Sequence, residues 1–352
     1  MVLTRVSRVN PNNPEPCKID MAARILLEGG LVAFPTETVY GLGANALNPS
    51  AVKKIFLAKG RPVDNPLILH IQHIDDLKTF ARNVSRKANK LAREFWPGPL
   101  TLVLEKSQRV PQITTGGLDT IAVRIPSDII SLSLIRAAGI PVAAPSANVS
   151  GRPSPTRASH VIEDLYGKVD LIMDGGRTRI GLESTVIDMT STVPVLLRPG
   201  GLPLERIREA IGKISIHSSI VNPEKDRLKS NKRYKSPGMK YRHYSPKADL
   251  ILVEGPKIRV RNKIVELARR MRNEQSKSVC IMTKSINNNY IADIVWFVGN
   301  DVETISRGLY EIFRYVDIHN IDVIIAEEMG CVDLGLAVMD RLKRAAKEII
   351  RV

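Results

Sequence analysis

The sequence predicts an α/β protein of two domains joined by a basic linker, and three observations carry that prediction. From Met21 to about Gly212, short apolar runs alternate with segments of helical period. A second, cleaner alternation begins at Ala248, and the 35 residues between the two have no sustained apolar period. The length of 352 residues agrees, since a domain takes roughly 100 to 200.

In chain order, Asp20 to Glu28 places Ile25, Leu26 and Leu27 on a short helical face that Gly29-Gly30 ends. Leu31 to Phe34 is a short buried strand closed by Pro35. The following Thr36-Glu37-Thr38-Val39-Tyr40-Gly41-Leu42-Gly43 is too rich in hydroxyls and glycine for an ordinary element. It reads as a tight turn leading to a helix from Pro49 to Lys59. Further strands are expected at Leu67 to Ile71, Leu100 to Leu104, Ile121 to Ile125, Val142 to Ala144, Leu171 to Asp174 and Val186 to Asp188, with helices between many of them.

Residues 213–247 hold three prolines and ten Lys or Arg against two acids, and read as a linker. Within it Tyr234, Tyr241, His243 and Tyr244 stand among prolines and cations, so this stretch is expected to order over a ligand rather than trail as a basic tail. The second domain reads as strand Leu250 to Glu254, helix Lys257 to Arg272, strands Ser278 to Thr283 and Ile294 to Val298, helix Asp301 to Val316, strand Val323 to Ala326 and helix Gly335 to Ile350. That order predicts a small Rossmann-like sheet. No G-x-G-x-x-G follows a strand, so nothing argues for dinucleotide binding, and the cations at Arg269-Arg270 and Lys343-Arg344 read as solvated helix faces.

The composition, 43% hydrophobic and 25% charged, is that of a globular chain rather than a disordered one. The first twenty residues have no apolar core of a leader, and no stretch approaches the ~18 apolar residues of a membrane span, which points to the cytoplasm and away from a membrane. Cys17, Cys280 and Cys331 are odd in number and far apart. They support neither a disulfide framework nor a zinc site and are expected to be packed thiols. The net charge of +16 points to polyanions, either nucleic acid or nucleotide phosphates, and half of it falls in residues 213–247.

Five polar clusters sit at strand ends and turns of the first domain, where open α/β sheets place ligands. In Pro35 to Gly43, glycine permits close backbone approach and the Thr hydroxyls offer donors, although a capped turn would look the same. In Lys59-Gly60-Arg61-Pro62-Val63-Asp64-Asn65-Pro66, a Lys and an Arg fork held between proline turns suit phosphate oxygens. His70, Thr120 and Arg124 lie on or beside apolar strands. An Arg there must reach solvent or meet an anion such as a carboxylate, because an unpaired buried guanidinium is too costly, whereas a lone His is more often structural. Ala144 to Thr156, with Ser146, Asn148 and Ser154, is a long loop of small hydroxyl residues able to form an anion nest. Glu183 to Asp188 and Leu197 to Gly201 add a polar strand entry and Arg198 in a turn. A phosphate-binding P-loop, a G-x-S-x-G elbow, an H-E-x-x-H helix and a Cys-His arrangement are all missing from the sequence. With no obvious nucleophile or protein-held metal, the pattern favours chemistry between bound substrates, driven by positioning and by cations around phosphate.

Read together, FPTETVYGLG at 34–43, KGRPVDNPL at 59–67, WPGPLT at 96–101, APSANVSGRPSPT at 144–156, STVID at 184–188, LRPG at 197–200 and SPGMKYRHYSP at 236–246 resemble the threonylcarbamoyl-AMP synthases in their long form. The resemblance implies a YrdC-like catalytic domain over 1–212, with a twisted open sheet and a concave basic cavity, a linker or lid over 213–247, and a smaller Rossmann-like α/β domain over 248–352. It implies a nucleotidyltransferase that makes L-threonylcarbamoyl-adenylate from L-threonine, bicarbonate and ATP with Mg2+, releasing pyrophosphate. The product feeds tRNA threonylcarbamoyladenosine formation next to the anticodon through a separate downstream transferase complex, so contact with tRNA is expected to be indirect. Carried over by position, Thr36, His70, Arg124 and Ser184 are expected in the threonine pocket, with Arg124 on its carboxylate. Lys59, Arg61, Asn65, Thr120, Ser146, Asn148, Ser154 and Arg198 are expected around ATP, and Tyr234, Ser236, Tyr241 and His243 in the lid. The resemblance gives no metal ligand from a protein side chain. One departure is visible, Met339-Asp340-Arg341-Leu342 where the family pattern has M-N-R-L.

Two rivals remain at this level. The first is an RNA-binding module without catalysis, for which 5% aromatic residues supply no interleaved stacking platform. The second is a carbamoyl transferase, whose expected acylphosphatase-like or Cys-rich segments the chain lacks.

Overall fold

A computed structural model describes residues 2–221, 235–236, 245–285 and 290–352. The chain divides into two compact units: residues 1–150 with 154–241, and residues 242–352 together with Gly151–Pro153.

The first unit is built on a mixed sheet. Its elements are β1 (Arg5–Arg8), α1 (Pro16–Leu27), β2 (Val32–Phe34), β3 (Gly41–Asn45), α2 (Pro49–Lys59), β4 (Ile68–His70), α3 (Leu77–Phe80), β5 (Ala81–Arg82), α4 (Arg86–Phe95), β6 (Leu100–Lys106), β7 (Thr120–Arg124), α5 (Ile129–Ala138), β8 (Val142–Ala143), α6 (Ala158–Leu165), β9 (Leu171–Asp174), β10 (Thr185–Asp188), β11 (Val195–Arg198), α7 (Leu204–Ile211), β12 (Ser215–Ile216) and α8 (Ser218–Val221). The strands lie in the order β1-β9-β2-β3-β8-β4-β7-β6-β10-β11-β12, with β5 beside β6.

Local chemistry sets these elements. Helix α1 starts with Pro16, whose fixed φ suits a first turn, and buries Ile19, Ala22, Ala23 and Leu26 at helical spacing. It packs with α5 over one side of the sheet, where Val32, Phe34, Leu134, Val142, Leu171 and Met173 share a dry core. Asn48 caps α2 by accepting from the amides of Ser50 and Ala51, and the helix ends on Gly60 in the left-handed region at φ 59°. Those two signals hold Lys59 in the last turn, where the chain leaves toward Arg61.

The structure corrects the expected turn over 36–43. Gly41–Asn45 is a strand, paired antiparallel to β2 through Val32–Gly43 and Phe34–Gly41. A side chain at Gly43 would strike Phe34 and Val142, so the glycine that looked like a breaker admits close strand packing instead. Arg198, expected in a turn, is the last residue of β11.

The second unit is a five-stranded, wholly parallel sheet of order β15-β14-β16-β13-β17, from β13 (Asp249–Glu254), β14 (Val279–Thr283), β15 (Ile294–Phe297), β16 (Val323–Glu327) and β17 (Ala346–Arg351). Helices α9 (Lys257–Asn273), α10 (Val302–Ile318) and α11 (Gly335–Ala345) make its crossovers. The helix expected to reach Ile350 stops at Ala345, and the rest forms β17 beside β13. β-Branched Ile349 and Ile350 gain more from pleated packing than from continuing a helix whose apolar stripe has ended.

The thiols also depart from expectation, since only Cys280 is buried and Cys17 and Cys331 are exposed. Among the described residues no helix is long and apolar enough to cross a membrane.

Candidate active site

The sheet brings His70, Arg124 and Ser184 of the candidate residues to one edge. Strands β4 and β7 run parallel, and their last residues, His70 and Arg124, are register partners. His70 also pairs with Val142 of β8. Strand β6 starts at this edge, where Thr101 lies one residue beyond the Leu102–Val123 pair, and Ser184 precedes β10 beside it. Strand polarity alone therefore gathers His70, Arg124, Thr101 and Ser184 from four strands.

Arg124 is the centre of the group and is 4% exposed. Its Nε donates to Gly98 O at 3.2 Å and one terminal nitrogen to Thr38 Oγ1 at 3.0 Å. The other lies 2.6 Å from Glu37 Oε1, itself 2% exposed. That contact is an ion pair rather than an aligned hydrogen bond, because neither atom has a partner by angle. The buried strand Arg has met a carboxylate of its own chain, which settles one of the two outcomes its position allowed. With five N–H groups, the guanidinium keeps capacity for a bidentate acceptor.

The hydroxyls beside it form a relay. Thr36 Oγ1 donates to Val39 O at 2.7 Å, so the 2.7 Å contact between the two Thr hydroxyls has Thr38 donating to Thr36. Thr38 in turn accepts from Arg124, which fixes the direction of every proton in the chain. Ser184 Oγ shares a 2.7 Å bond with Thr101 Oγ1 and accepts from Arg198 at 3.2 Å. His70 Nδ1 donates to Ile68 O at 3.2 Å, and burial, reinforced by the Arg124 charge, pushes its pKa down to about 3. It is a neutral imidazole throughout the physiological range.

The residues expected around ATP are more widely placed: Asn65 precedes β4 and Thr120 opens β7, at the strand ends opposite His70 and Arg124. Lys59, 1% exposed, donates to the carbonyls of Ser146 and Asn148 and so ties the end of α2 to the 144–156 loop. Arg61 donates to Asn65 O and Pro66 O of its own turn. Asn65 Nδ2 and Thr120 Oγ1 are buried without a hydrogen-bond partner among the described residues. Thr120 and Arg124 share one face of β7, roughly 13 Å apart for four residues of extended chain. Ser154 donates to Glu183 Oε1 at 2.6 Å, and Arg198 donates to Ser184 O at 3.0 Å. A Cβ at Gly200 would lie 2.2 Å from Glu183 O, so only glycine fits this turn. In the linker, Lys235 reaches Asp188 and Thr190, and Ser236 is buried. The other three lid residues, Tyr234, Tyr241 and His243, lie outside the described residues.

Reading the sequence missed Glu37 and Thr38 as members of this group. The signal was present, because a strand Arg that cannot stay unpaired requires a nearby carboxylate and Glu37 is the acid of the hydroxyl-rich turn.

Buried cations and hydroxyls at one edge of a mixed α/β sheet make a setting suited to a small charged molecule, as in an enzyme. Residues 24–200 match the family described as telomere recombination (Sua5, YciO and YrdC proteins), and residues 202–347 match the threonylcarbamoyl-AMP synthase C-terminal domain. The chain is 55% identical to the threonylcarbamoyl-AMP synthase of Pyrococcus abyssi, covering 94% of this chain and 95% of that one. It is 45% identical to that of Bacillus subtilis, covering 96% and 94%. A crystal structure of the P. abyssi protein complexed with L-threonine superposes with a TM-score of 0.92 at 53% identity over the whole of both chains. Escherichia coli YciO matches at a TM-score of 0.51 and 27% identity over 57% of this chain and 96% of its own. The chain belongs to the threonylcarbamoyl-AMP synthase family, ATP-using nucleotidyltransferases of tRNA threonylcarbamoyladenosine biosynthesis.

Proposed function

We propose that this chain condenses L-threonine, bicarbonate and ATP into L-threonylcarbamoyl-adenylate, with Arg124, His70, Thr36 and Ser184 forming the threonine pocket and Lys59, Arg61, Asn65, Thr120, Ser146, Asn148, Ser154 and Arg198 serving ATP. The observation that carries this reading is Arg124, buried, held on three sides and still able to take a carboxylate.

The α-ammonium of threonine gives up a proton to solvent, the neutral amine attacks bicarbonate carbon, and loss of water leaves a carbamate. A carbamate oxygen then attacks the α-phosphorus of the Mg2+–ATP substrate, the α–β bridge breaks, and pyrophosphate leaves. Lys59 and Arg61 stabilise charge gathering on the phosphates, and the hydroxyl relay keeps Arg124 from turning away. Neutral His70 offers a hydrogen bond without adding a second cation to the pocket. The product would pass to a separate downstream transferase that acts on tRNA. We assign residues 1–212 to catalysis, 213–247 to the linker and 248–352 to the second domain. The placement is cytoplasmic.

Mixing the protein with ATP, Mg2+, bicarbonate and threonine and measuring pyrophosphate and adduct mass tests the reading. Pyrophosphate release that needs threonine is expected, and release indifferent to threonine would sink it.

A further inference from the structure

We propose that Glu37 is a substrate-binding residue, whose Oε2 receives the α-ammonium of the amino acid while Arg124 takes its carboxylate. The proposal rests on the threonine pocket described above and adds a second charged contact to it.

Three observations carry it. Glu37 is 2% exposed, yet its Oε2 has no hydrogen-bond partner among the described residues. A buried carboxylate oxygen without a donor is expensive, and one beside a ligand pocket is explained by a donor that arrives with the ligand. The second is adjacency: Glu37 Oε1 lies 2.6 Å from the Arg124 guanidinium. An α-amino acid carries its opposite charges one carbon apart, so a receptor with opposite charges side by side matches it.

The third is charge balance. A zwitterion set against Arg124 alone would bury two cations against one carboxylate, and the adjacent neutral His70 supplies no anion. Glu37 supplies the second carboxylate, so that each charge of the zwitterion meets an opposite one. The same balance discriminates: a carboxylic acid without the amine would leave Glu37 unsatisfied, and sites built to pair a polar group reject analogues that lack it. Glu37 thus makes the pocket select amino acids over other hydroxy acids.

The test uses the full chain. Glu37→Gln keeps the shape of the side chain and removes its charge. It should raise the threonine Kd, measured by calorimetry, on the order of tenfold or more, with the Kd of a non-hydrolysable ATP analogue unchanged, and lower the melting temperature because Arg124 loses its buried partner. Glu37→Asp should recover part of the loss. The inhibition constant of 3-hydroxybutyrate, which is threonine without its amine, should not rise in Glu37→Gln and should fall if the unpaired carboxylate is what rejects it. A threonine Kd unchanged in Glu37→Gln overturns the proposal. So does an equal loss for threonine and 3-hydroxybutyrate, which would make Glu37 only a support for Arg124. Arg124→Lys separates the two readings: if it leaves threonine binding intact, the pocket itself is misplaced, whatever Glu37→Gln does.

Discussion

Lys59 shows how much a single side chain can settle in this molecule. Its ammonium is enclosed and spends its donors on the carbonyls of Ser146 and Asn148. A lysine that staples the neighbouring loop, and that we propose also faces the ATP phosphates, should be intolerant of both truncation and enlargement. Lys59→Ala is expected to lower kcat/KM for ATP on the order of 100-fold and to speed amide hydrogen exchange over 144–156, while Lys59→Arg fails to rescue because a planar fork does not fit a seat shaped for a point charge. Exchange unchanged in Lys59→Ala would remove the staple from the account. The K-x-R pair reads in the sequence as an anion site, since two cations between prolines lack an acid run. The carbonyls that hold Lys59 are not legible there, because they belong to backbone brought together across 87 residues or more by folding.

At the scale of elements, helix α5 carries a measurable consequence of where it begins. Its cap, Asp128, accepts from the amides of Ile130 and Ser131. Burial, reinforced by the charge of Glu37 and opposed by the Ser131 hydrogen bond, pushes its pKa from the ordinary 3.8 up to about 6. Between these values the folded chain holds a proton that the unfolded chain has released, so stability falls as pH rises from about 4 to about 6 and the cost is complete above that. Asn caps as well as Asp without the charge. Asp128→Asn should therefore raise the melting temperature at pH 7 to 8 by at least about 2 °C and change it little near pH 4. A shift of equal size at both pH values would contradict the burial argument.

Other elements show why a sequence reads well in some places and poorly in others. Helix α2 was legible from Pro49 to Lys59 because a cap, an N1 proline and a C-terminal glycine all agree. Strand β3 was hidden because its glycines serve sheet packing rather than a turn, and β17 because Ala345-Ala346-Lys347 continues a helical period until the β13 edge claims the chain.

For the whole molecule, the two units have separate dry cores. One is formed by α1, α5 and the strands they cover, the other by Ile251, Val253, Ile264, Leu267, Ile281 and Ile325 beneath α9. Each core is closed by elements of its own unit, and the parallel sheet of the second is complete within 249–351. Two independent cores predict two independently folding pieces. Every side chain argued to touch threonine, from Thr36 and Glu37 to Ser184, lies before residue 185. A fragment ending at Val221 should therefore melt cooperatively and bind L-threonine within about threefold of the full chain, even where the missing linker lowers turnover. A fragment of residues 245–352 should also melt cooperatively, without exposing the apolar surface that marks a molten state. Calorimetry on both fragments, with dye binding and threonine titration, decides the matter. A first fragment that folds but has lost threonine binding would show that the recognition site extends beyond residues 1–221.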